Sequence, residues 1–289
     1  MVSKAAPTLG RIRAALTALA ASLVLGCASR PPSDQPARLR VVSLAPSLTE
    51  IAYAIGAGSE LVADTRYDDY PAAATRLPHV ADLAGVDLER LAALHPSVVL
   101  ALHDQERQAG PIQSRLAIPV VYLPNRSLAD LFADVSGVGL ACGRPAQARA
   151  LAQSLRARIQ KTAVRAARRA ARPRLFFLLG LPGFTAGHQS FIDDLIRLAG
   201  ARNIAAGAKQ PYPDMSAEAV AASDPQIIIV ARDVAFGESE LRRQPWRSTA
   251  AVRRGAVVRP PSDDIVERDG PRIVTGLEWL ASVVGRYAK

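Results

Sequence analysis

An internal repeat limits the folds open to this chain more than any other feature of its sequence. Residues 89–100 read ERLAALHPSVVL, and residues 218–229 read EAVAASDPQIII. Each copy predicts a short helix that ends before a proline and is followed by an apolar strand. Asp87 and Ser216 lie two residues before the two glutamates, where a helix-capping side chain is expected. One α/β unit that recurs 129 residues later predicts a chain of two similar lobes.

Apolar runs define the strands of both lobes. Such runs occupy residues 39–44, 97–102, 118–123, 174–179, 226–231 and 256–259. Most are nearly uninterrupted, which is typical of strands buried on both faces of a parallel sheet. Amphipathic stretches alternate with them, so the sequence predicts an α/β protein with two similar lobes and mainly parallel sheets. The predicted lobes are residues 39–144 and 173–289.

A single helix is predicted between the lobes, over residues 145–172. Leu151, Leu155 and Ile159 recur at four-residue spacing along one face. Pro145 suits a first helical turn, and Pro173 cannot continue the helix. Twenty-eight residues would form a rigid rod of roughly 42 Å, long enough to join two lobes.

The net charge of +10 is concentrated around this helix. Residues 144–174 include ten basic side chains and no acidic one. The ten are Arg144, Arg149, Arg156, Arg158, Lys161, Arg165, Arg168, Arg169, Arg172 and Arg174. Such a face could bind nucleic acid or anionic lipid, or it could be the solvated side of a structural connector. No helix-turn-helix, zinc finger or aromatic-basic RNA motif accompanies it. We therefore predict a structural connector and no nucleic-acid partner.

The N-terminus has the pattern of an export signal. Lys4, Arg11 and Arg13 precede an apolar run over residues 14–25, which is too short for a comfortable membrane span. The run ends at Gly26 and Cys27, which resembles the lipobox of bacterial lipoproteins. We predict a signal peptide over 1–26, lipidation at Cys27 and a polar tether over 27–38. This places the protein in the periplasm or on the outer face of the cytoplasmic membrane, held by a lipid anchor. A plain signal peptide or a free cysteine are the alternatives.

No catalytic or metal-binding motif stands out. The four histidines have neither a His-x-x-x-His spacing nor a cysteine at metal-ligand distance in sequence. The chain has no Gly-x-Ser-x-Gly motif, and its Asp-Asp pairs are adjacent, so their side chains diverge. His95 precedes a strand where the second copy has Asp224, which favours a role at the helix end. We predict a non-enzymatic protein without a metal site; an envelope enzyme that uses the Asp-rich loops is the alternative.

Three motifs in one order carry a family resemblance. VVSLAPSLTE at 41–50 is followed by YDDYP at 67–71 and by VDLERL…HP over 86–96. Their order, with a lobe, a long helix and a second lobe, resembles the periplasmic binding proteins for cobalamin and iron chelates. Within that family the chain is most similar to the cobalamin-binding component of an ABC importer.

The resemblance implies a function and a partner. Such proteins hold their ligand in a cleft between the lobes and deliver it to an ABC permease and its ATPase. It implies a monomer without a resident cofactor, whose ligand is a cobalt corrinoid; haem or a ferric siderophore is the alternative. Glu89 and Glu218 match the surface glutamates that dock onto the permease, although a glutamate in a first helical turn also favours the helix dipole.

The same resemblance implies a set of cleft residues. Tyr67 matches an aromatic residue that lies against the corrin ring, and Tyr212 belongs to a Pro-aromatic-Pro loop. Asp264 and Arg268 match polar ligand contacts, or they form an ion pair within their loop. Leu83, Leu102 and Ile265 stand where the related protein has tryptophans. The predicted ligand-binding residues are Ala45, Pro46, Ser47, Tyr67, Leu83, Leu102, Phe184, Tyr212, Asp264 and Arg268. His103 either reaches the cleft or lies in a surface loop.

Overall fold

The computed structural model describes residues 38–288 of the chain. The predicted signal peptide, Cys27 and all of the predicted tether except Arg38 lie outside these residues. Within the described range, no helix combines the length and apolarity that a membrane span requires.

The first lobe alternates strands and helices. Its elements are β1 (Val41–Ser43), α1 (Pro46–Ala54), β2 (Leu61–Thr65), β3 (His79–Asp82), β4 (Gly85–Val86), α2 (Leu88–Ala93), β5 (Val98–Leu102), α3 (Glu106–Leu116), β6 (Val120–Leu123) and α4 (Asp130–Ala141). The strands form one sheet in the order β4-β3-β2-β1-β5-β6. All neighbours pair in parallel except β3 and β4. The carboxyl ends of β1, β5 and β6 therefore meet at one edge of the sheet, where ligands of α/β proteins commonly bind.

A long helix leads into the second lobe. The elements are α5 (Pro145–Ala167), β7 (Arg174–Leu178), α6 (Phe191–Leu198), β8 (Arg202–Asn203), α7 (Ala217–Ala222), β9 (Ile227–Val230), α8 (Glu238–Leu241), α9 (Ala250–Arg253), β10 (Val257–Val258), α10 (Asp264–Glu267) and α11 (Ile273–Tyr287). The sheet has the order β10-β9-β7-β8, and all of its pairs are parallel. The predicted α/β class with two mainly parallel sheets is confirmed.

The internal repeat is a repeat of structure as well as sequence. The order β2-β1-β5-β6 in the first sheet is matched by β8-β7-β9-β10 in the second. Asp87 caps α2 by accepting a hydrogen bond from the backbone of Arg90, and Ser216 caps α7 in the same way. His95 and Asp224, just beyond the two helices, adopt positive φ angles of 44° and 42°. His95 therefore terminates a helix, as its place in the repeat predicts.

Helix α5 runs unbroken for 23 residues, or roughly 34 Å. It ends at Ala167 rather than at the predicted residue 172. Just beyond its end, the Arg169 side chain donates hydrogen bonds to the carbonyls of Ala199 and Ala281. One continuous apolar cluster runs from the first lobe through this helix into the second lobe. Its members include Leu48, Val135, Leu155, Ile196 and Val284. This shared core joins the two lobes rigidly, since a packed interior resists deformation.

The basic residues around α5 serve the fold in part. Arg144 pairs with Glu60 at 2.6 Å, and Arg158 binds both carboxylate oxygens of Glu278 at 3.0 and 2.8 Å. The guanidinium of Arg156 lies 4.2 Å from the ring centroid of Phe132. These contacts are those of a structural connector.

Candidate functional site

A cleft opens between the two lobes at the carboxyl edge of the first sheet. Its central cavity has a volume of about 430 Å³ and draws equally on both lobes. The first lobe contributes Ala45, Pro46, Ser47, Leu102, Asp104, Asn125 and Arg126, and the second contributes Gln189, Phe191, Pro211, Tyr212, Glu267, Arg268 and Asp269. An adjoining cavity of about 380 Å³ extends along the first lobe past Tyr67 and Leu83. The two cavities share Ala45, Pro46, Leu102 and Asp104, so they form one continuous opening.

The structure brings most of the ten predicted ligand-binding residues to this opening. Eight of them line one of the two cavities: Ala45, Pro46, Ser47, Tyr67, Leu83, Leu102, Tyr212 and Arg268. Phe184 stacks on Tyr212, with 6.1 Å between ring centroids, and Asp264 forms an ion pair with Arg268. Ile265 is buried in the apolar core and lines neither cavity.

The turn from Ala45 to Ser47 forms the middle of the cleft because β1 ends there and α1 begins. Pro46 occupies the first helical turn, where its missing N–H is not needed. Ala45 is the N-cap and has no side chain that could bond the first backbone N–H groups of α1. The Ser43 hydroxyl donates a hydrogen bond of 3.0 Å to the carbonyl of Ala45, which fixes the turn.

Large apolar side chains are exposed on both rims of the cleft. On the first lobe, Tyr67 is 41% exposed and Leu83 88%, and the Leu83 amide donates to the Tyr67 hydroxyl at 3.2 Å. On the second lobe, Phe184 and Tyr212 are each 38% exposed. Phe184 is held by a tight turn in which Gly183 packs so closely on the Met215 carbonyl that any Cβ would collide with it. These rims offer apolar surface to a ligand on two sides.

Arg268 sits within a set of carboxylates that comes from both lobes. Its Nη1 lies 2.6 Å from Asp69 Oδ1 and 3.7 Å from Glu50 Oε1, and its Nη2 lies 2.9 Å from Asp264 Oδ1. The Nη2 group also lies 3.4 Å from the carbonyl oxygen of Tyr67. The ion pair between Asp264 and Arg268 is therefore present, along the short helix α10 rather than within a loop, and the first lobe adds two further acids to it.

Arg272 belongs to the same set of charged residues. We call this set, with Glu50, Asp69, Asp264 and Arg268, the junction between the lobes. Its Nε and Nη2 donate to the two carboxylate oxygens of Glu50 at 2.9 and 2.6 Å. Its guanidinium carbon lies 4.1 Å from the ring centroid of Tyr70. Burial raises the pKa of Glu50, while the hydrogen bond and the charge of Arg272 act to lower it.

The second lobe also places two acids, Glu267 and Asp269, in the central cavity. We call the part of the cavity formed by these two residues and Asp104 the cleft floor. Burial raises the pKa of Glu267 to about 8 and that of Asp269 to about 6. Burial, with the negative charges of Asp269 and Asp104, raises the pKa of Tyr212 to about 12. The floor thus disfavours any further negative charge.

Asp134 on α4 is fully buried, and neither of its carboxylate oxygens has a hydrogen-bond partner among the described residues. Burial, with the charges of Asp269 and Asp130, raises its pKa to about 8. Asp134 is therefore mostly protonated at pH 7 in the folded protein.

Several cleft residues lie outside the sequence-based set: Asp104, Asn125, Arg126, Gln189, Glu267 and Asp269. Asp104 and Asn125 each lie two residues after the end of a strand, β5 and β6, and the amide of Asn125 donates to Asp104 at 2.8 Å. Adjacent parallel strands end at one sheet edge, and that rule could have identified both residues. Glu267 and Asp269 adjoin Arg268 in sequence, but no sequence motif marked either of them as a cleft residue.

His103 turns away from the cleft. Its Nδ1 lies 2.9 Å from Glu106 Oε1, its ring stacks on Tyr122, and it lines neither of these two cavities. It does line a third cavity of about 490 Å³, which shares Asp104, Asn125 and Arg126 with the central one. Among the described residues, no three or more His, Cys, Asp and Glu side chains are grouped so that they could hold a metal ion.

Glu89 and Glu218 are both exposed in the first turns of α2 and α7. The matching topology of the two sheets gives them equivalent positions in the two lobes.

Comparison with known proteins gives the fold and cleft a context. The model of the periplasmic binding protein family matches residues 41–263, which is most of the chain. The chain belongs to the periplasmic binding protein family. It is a binding protein, not an enzyme, since the family is non-enzymatic.

The relatives include binders of different tetrapyrroles. The vitamin B12-binding protein of Yersinia pestis is 35% identical over 193 residues, which cover 66% of this chain and 69% of the relative. The structure of the periplasmic vitamin B12 binding protein BtuF of Vibrio cholerae superposes with a TM-score of 0.76 at 26% identity, covering 86% of this chain and 98% of that one. The periplasmic heme-binding protein RhuT of Roseiflexus sp. RS-1, in its apo form, gives a TM-score of 0.77 at 25% identity, covering 87% and 99%.

Proposed function

We propose that this chain is the extracytoplasmic receptor of an ABC importer and that its ligand is cobalamin or a related corrinoid. One observation carries the choice of ligand: the cleft combines apolar rims with a cation, Arg268, that carboxylates of the protein already engage. The sequence similarity to vitamin B12-binding proteins supports the same choice.

The rims suit a broad, flat ligand. Tyr67 and Leu83 face the opening from one lobe, and Tyr212, backed by Phe184, faces it from the other. Aromatic and aliphatic walls bind macrocycles by burying apolar area, at about 25 cal/mol for each Å². The continuous opening accepts an extended ring better than a compact polar solute.

The charges on the floor favour a ligand that carries amides over one that carries carboxylates. Asp104 and Asp269 line the central cavity together with two cations, Arg126 and Arg268. Glu267 also lines it, but its pKa of about 8 leaves it mostly neutral at pH 7. Arg268 is already engaged by carboxylates. A corrinoid presents neutral amide groups that can donate to these acids, whereas the propionates of haem would meet like charge, which is costly at an interface.

Haem is the second candidate, because a haem-binding relative superposes as well as a cobalamin-binding one. Haem iron needs an axial ligand such as tyrosine or histidine. Among the described residues that line the central cavity and the one beside it at Tyr67, Tyr67 and Tyr212 are the candidates, and the raised pKa of Tyr212 disfavours its phenolate. A haem receptor should therefore lose haemin binding in Tyr67→Phe, whereas a corrinoid receptor should keep cyanocobalamin binding within about threefold, since the ring remains.

Delivery of the ligand requires a permease, and we propose that Glu89 and Glu218 dock onto it. Their equivalent positions in two similar lobes suit a twofold-symmetric partner. The double variant Glu89→Lys/Glu218→Lys should abolish uptake while ligand affinity stays unchanged. Uptake at the wild-type rate would exclude this docking mode.

We also propose that the mature protein is held at a membrane by lipid on Cys27. Palmitate labelling that is lost in Cys27→Ser would support the anchor, and undiminished labelling of that variant would refute it.

The direct test of the ligand is equilibrium binding of cyanocobalamin, dicyanocobinamide, haemin and a ferric siderophore to the full chain. Shifts of the visible bands are the suitable signal, because Trp246 and Trp279 line neither cavity. Tighter binding of the two corrinoids supports the proposal. Preference for haemin or the siderophore overturns it.

A further inference from the structure

The contacts of Arg268 bear on which ligands the cleft can bind. Asp69 provides its shortest contact, 2.6 Å from Nη1, with a second contact of 3.4 Å between Nη2 and the other carboxylate oxygen. Asp264 holds Nη2 at 2.9 Å. Both terminal nitrogens of the guanidinium are thus directed at acids of the protein itself, and these are the groups that would otherwise bind a carboxylate of a ligand.

A charge count of the junction gives the same result. Two guanidiniums, Arg268 and Arg272, face three carboxylates, Glu50, Asp69 and Asp264. With all five groups ionised, the set carries a net charge of −1. Neither of these two guanidiniums therefore leaves a positive charge over for an anionic ligand.

The three acids differ in what they do. The side chain of Glu50 is 2% exposed and binds Arg272 through both oxygens, so it holds the lobes together. The side chain of Asp264 is 25% exposed and lies at the start of α10, the short helix that ends next to Arg268. Asp69 comes from the opposite lobe, and its side chain is 57% exposed. Asp69 is therefore the member whose charge can change with least effect on the core.

We propose that Asp69 is a specificity-determining residue of the cleft: its carboxylate occupies Arg268 and thereby excludes ligands that carry carboxylates. The inference rests on the proposed function, because it assumes that the ligand lies in this cleft. The carboxylate of Asp69, which is part of the protein, competes with the carboxylate of an unsuitable ligand for Arg268. A neutral, amide-bearing macrocycle does not need Arg268 to be free.

The test compares Asp69→Asn with the wild-type full chain. Haemin, with two propionates, should bind about tenfold more tightly to the variant, because one charge-assisted hydrogen bond to Arg268 becomes available. Haemin dimethyl ester, which lacks those charges, should change by less than about threefold. The ratio of haemin affinity to cyanocobalamin affinity should rise accordingly.

Two further variants identify the cause. Glu238→Gln removes one negative charge from an exposed site where Glu238 pairs with Arg242 and lines neither cavity, so it controls for net charge. Asp69→Asn/Arg268→Gln removes the freed cation and should cancel the gain. The proposal is overturned if Asp69→Asn gives no gain for haemin, if the ester gains equally, or if Glu238→Gln produces the same gain.

The outcomes also separate this inference from the proposed function. Absence of cyanocobalamin binding in the wild-type protein would contradict the proposed function. The ratio of haemin affinities between Asp69→Asn and the wild type would still decide the role of Asp69.

Discussion

Two buried carboxyl groups on packed helices, Glu50 on α1 and Asp134 on α4, are treated by the fold in opposite ways. Glu50 receives a two-point ion pair from Arg272. Asp134 has no hydrogen-bond partner among the described residues, and it responds to burial by keeping its proton. Glu50 therefore joins the lobes in its charged form, whereas the protein interior accommodates Asp134 only in its neutral form.

Glu50→Gln should produce the largest loss of stability. The substitution removes the two-point ion pair of Arg272 and leaves only Asp264, at 3.6 Å, beside its guanidinium. Breaking a buried pair costs about 3–5 kcal/mol. Urea denaturation of the variant and the wild type measures the loss. A change below about 1 kcal/mol would mean that Glu50 does not hold the lobes together.

Asp134→Asn should have the opposite effect. The pKa of Asp134 is raised from 3.8 to about 8, so the folded protein keeps a proton that the unfolded chain releases near pH 4. Folding stability is therefore lost progressively as pH rises from about 4 to 8, and the loss is complete above pH 8. The amide has no such loss, so the variant should be more stable by about 2–4 kcal/mol at pH 7.5 and nearly equal to the wild type at pH 4.

Denaturation curves at both pH values check this prediction. Exposed Asp82→Asn is the control and should stay within about 0.5 kcal/mol of the wild type at either pH. Destabilisation by Asp134→Asn at pH 7.5 would show that the carboxyl group has a partner or a charge in the fold.

Arg272→Lys should give the smallest effect, a loss of about 1–2 kcal/mol. Lysine cannot bind both oxygens of Glu50 or stack its head group flat on Tyr70. Arg158→Lys is the matched control, because Arg158 also binds both oxygens of a glutamate but at a site that is 41% exposed. Its loss should stay below about 0.5 kcal/mol. Equal losses at the two sites would remove the distinction between the buried and the exposed pair.

The sequence was sufficient for the architecture wherever a pattern was local. All six predicted strands are present, and Asp87 and Ser216 both cap helices as the repeat predicts. The strands β2, β3, β4 and β8 were not predicted. They are short, or they carry polar residues such as Asp64 and His79, so they lack an apolar run.

The sequence predicted those site residues that belong to recognisable motifs. The turn at Ala45, together with Tyr67 and Arg268, lies at one cleft, as the resemblance implied. The partners of Arg268 could not be read from the sequence, because Asp69 and Glu50 lie 199 and 218 residues away from it. The burial of Asp134 is likewise a property of helix packing, and nothing near it in sequence marks it.

Competition between ligands tests the central claim most directly. The full chain would be mixed with cyanocobalamin and haemin, each in equal excess, and separated from unbound ligand. The bound pigment would then be identified by its absorption spectrum. The account predicts that cyanocobalamin is recovered, chemically unchanged and close to one per chain. Recovery of haemin in its place would contradict the account of a cleft whose acids exclude carboxylate-bearing macrocycles.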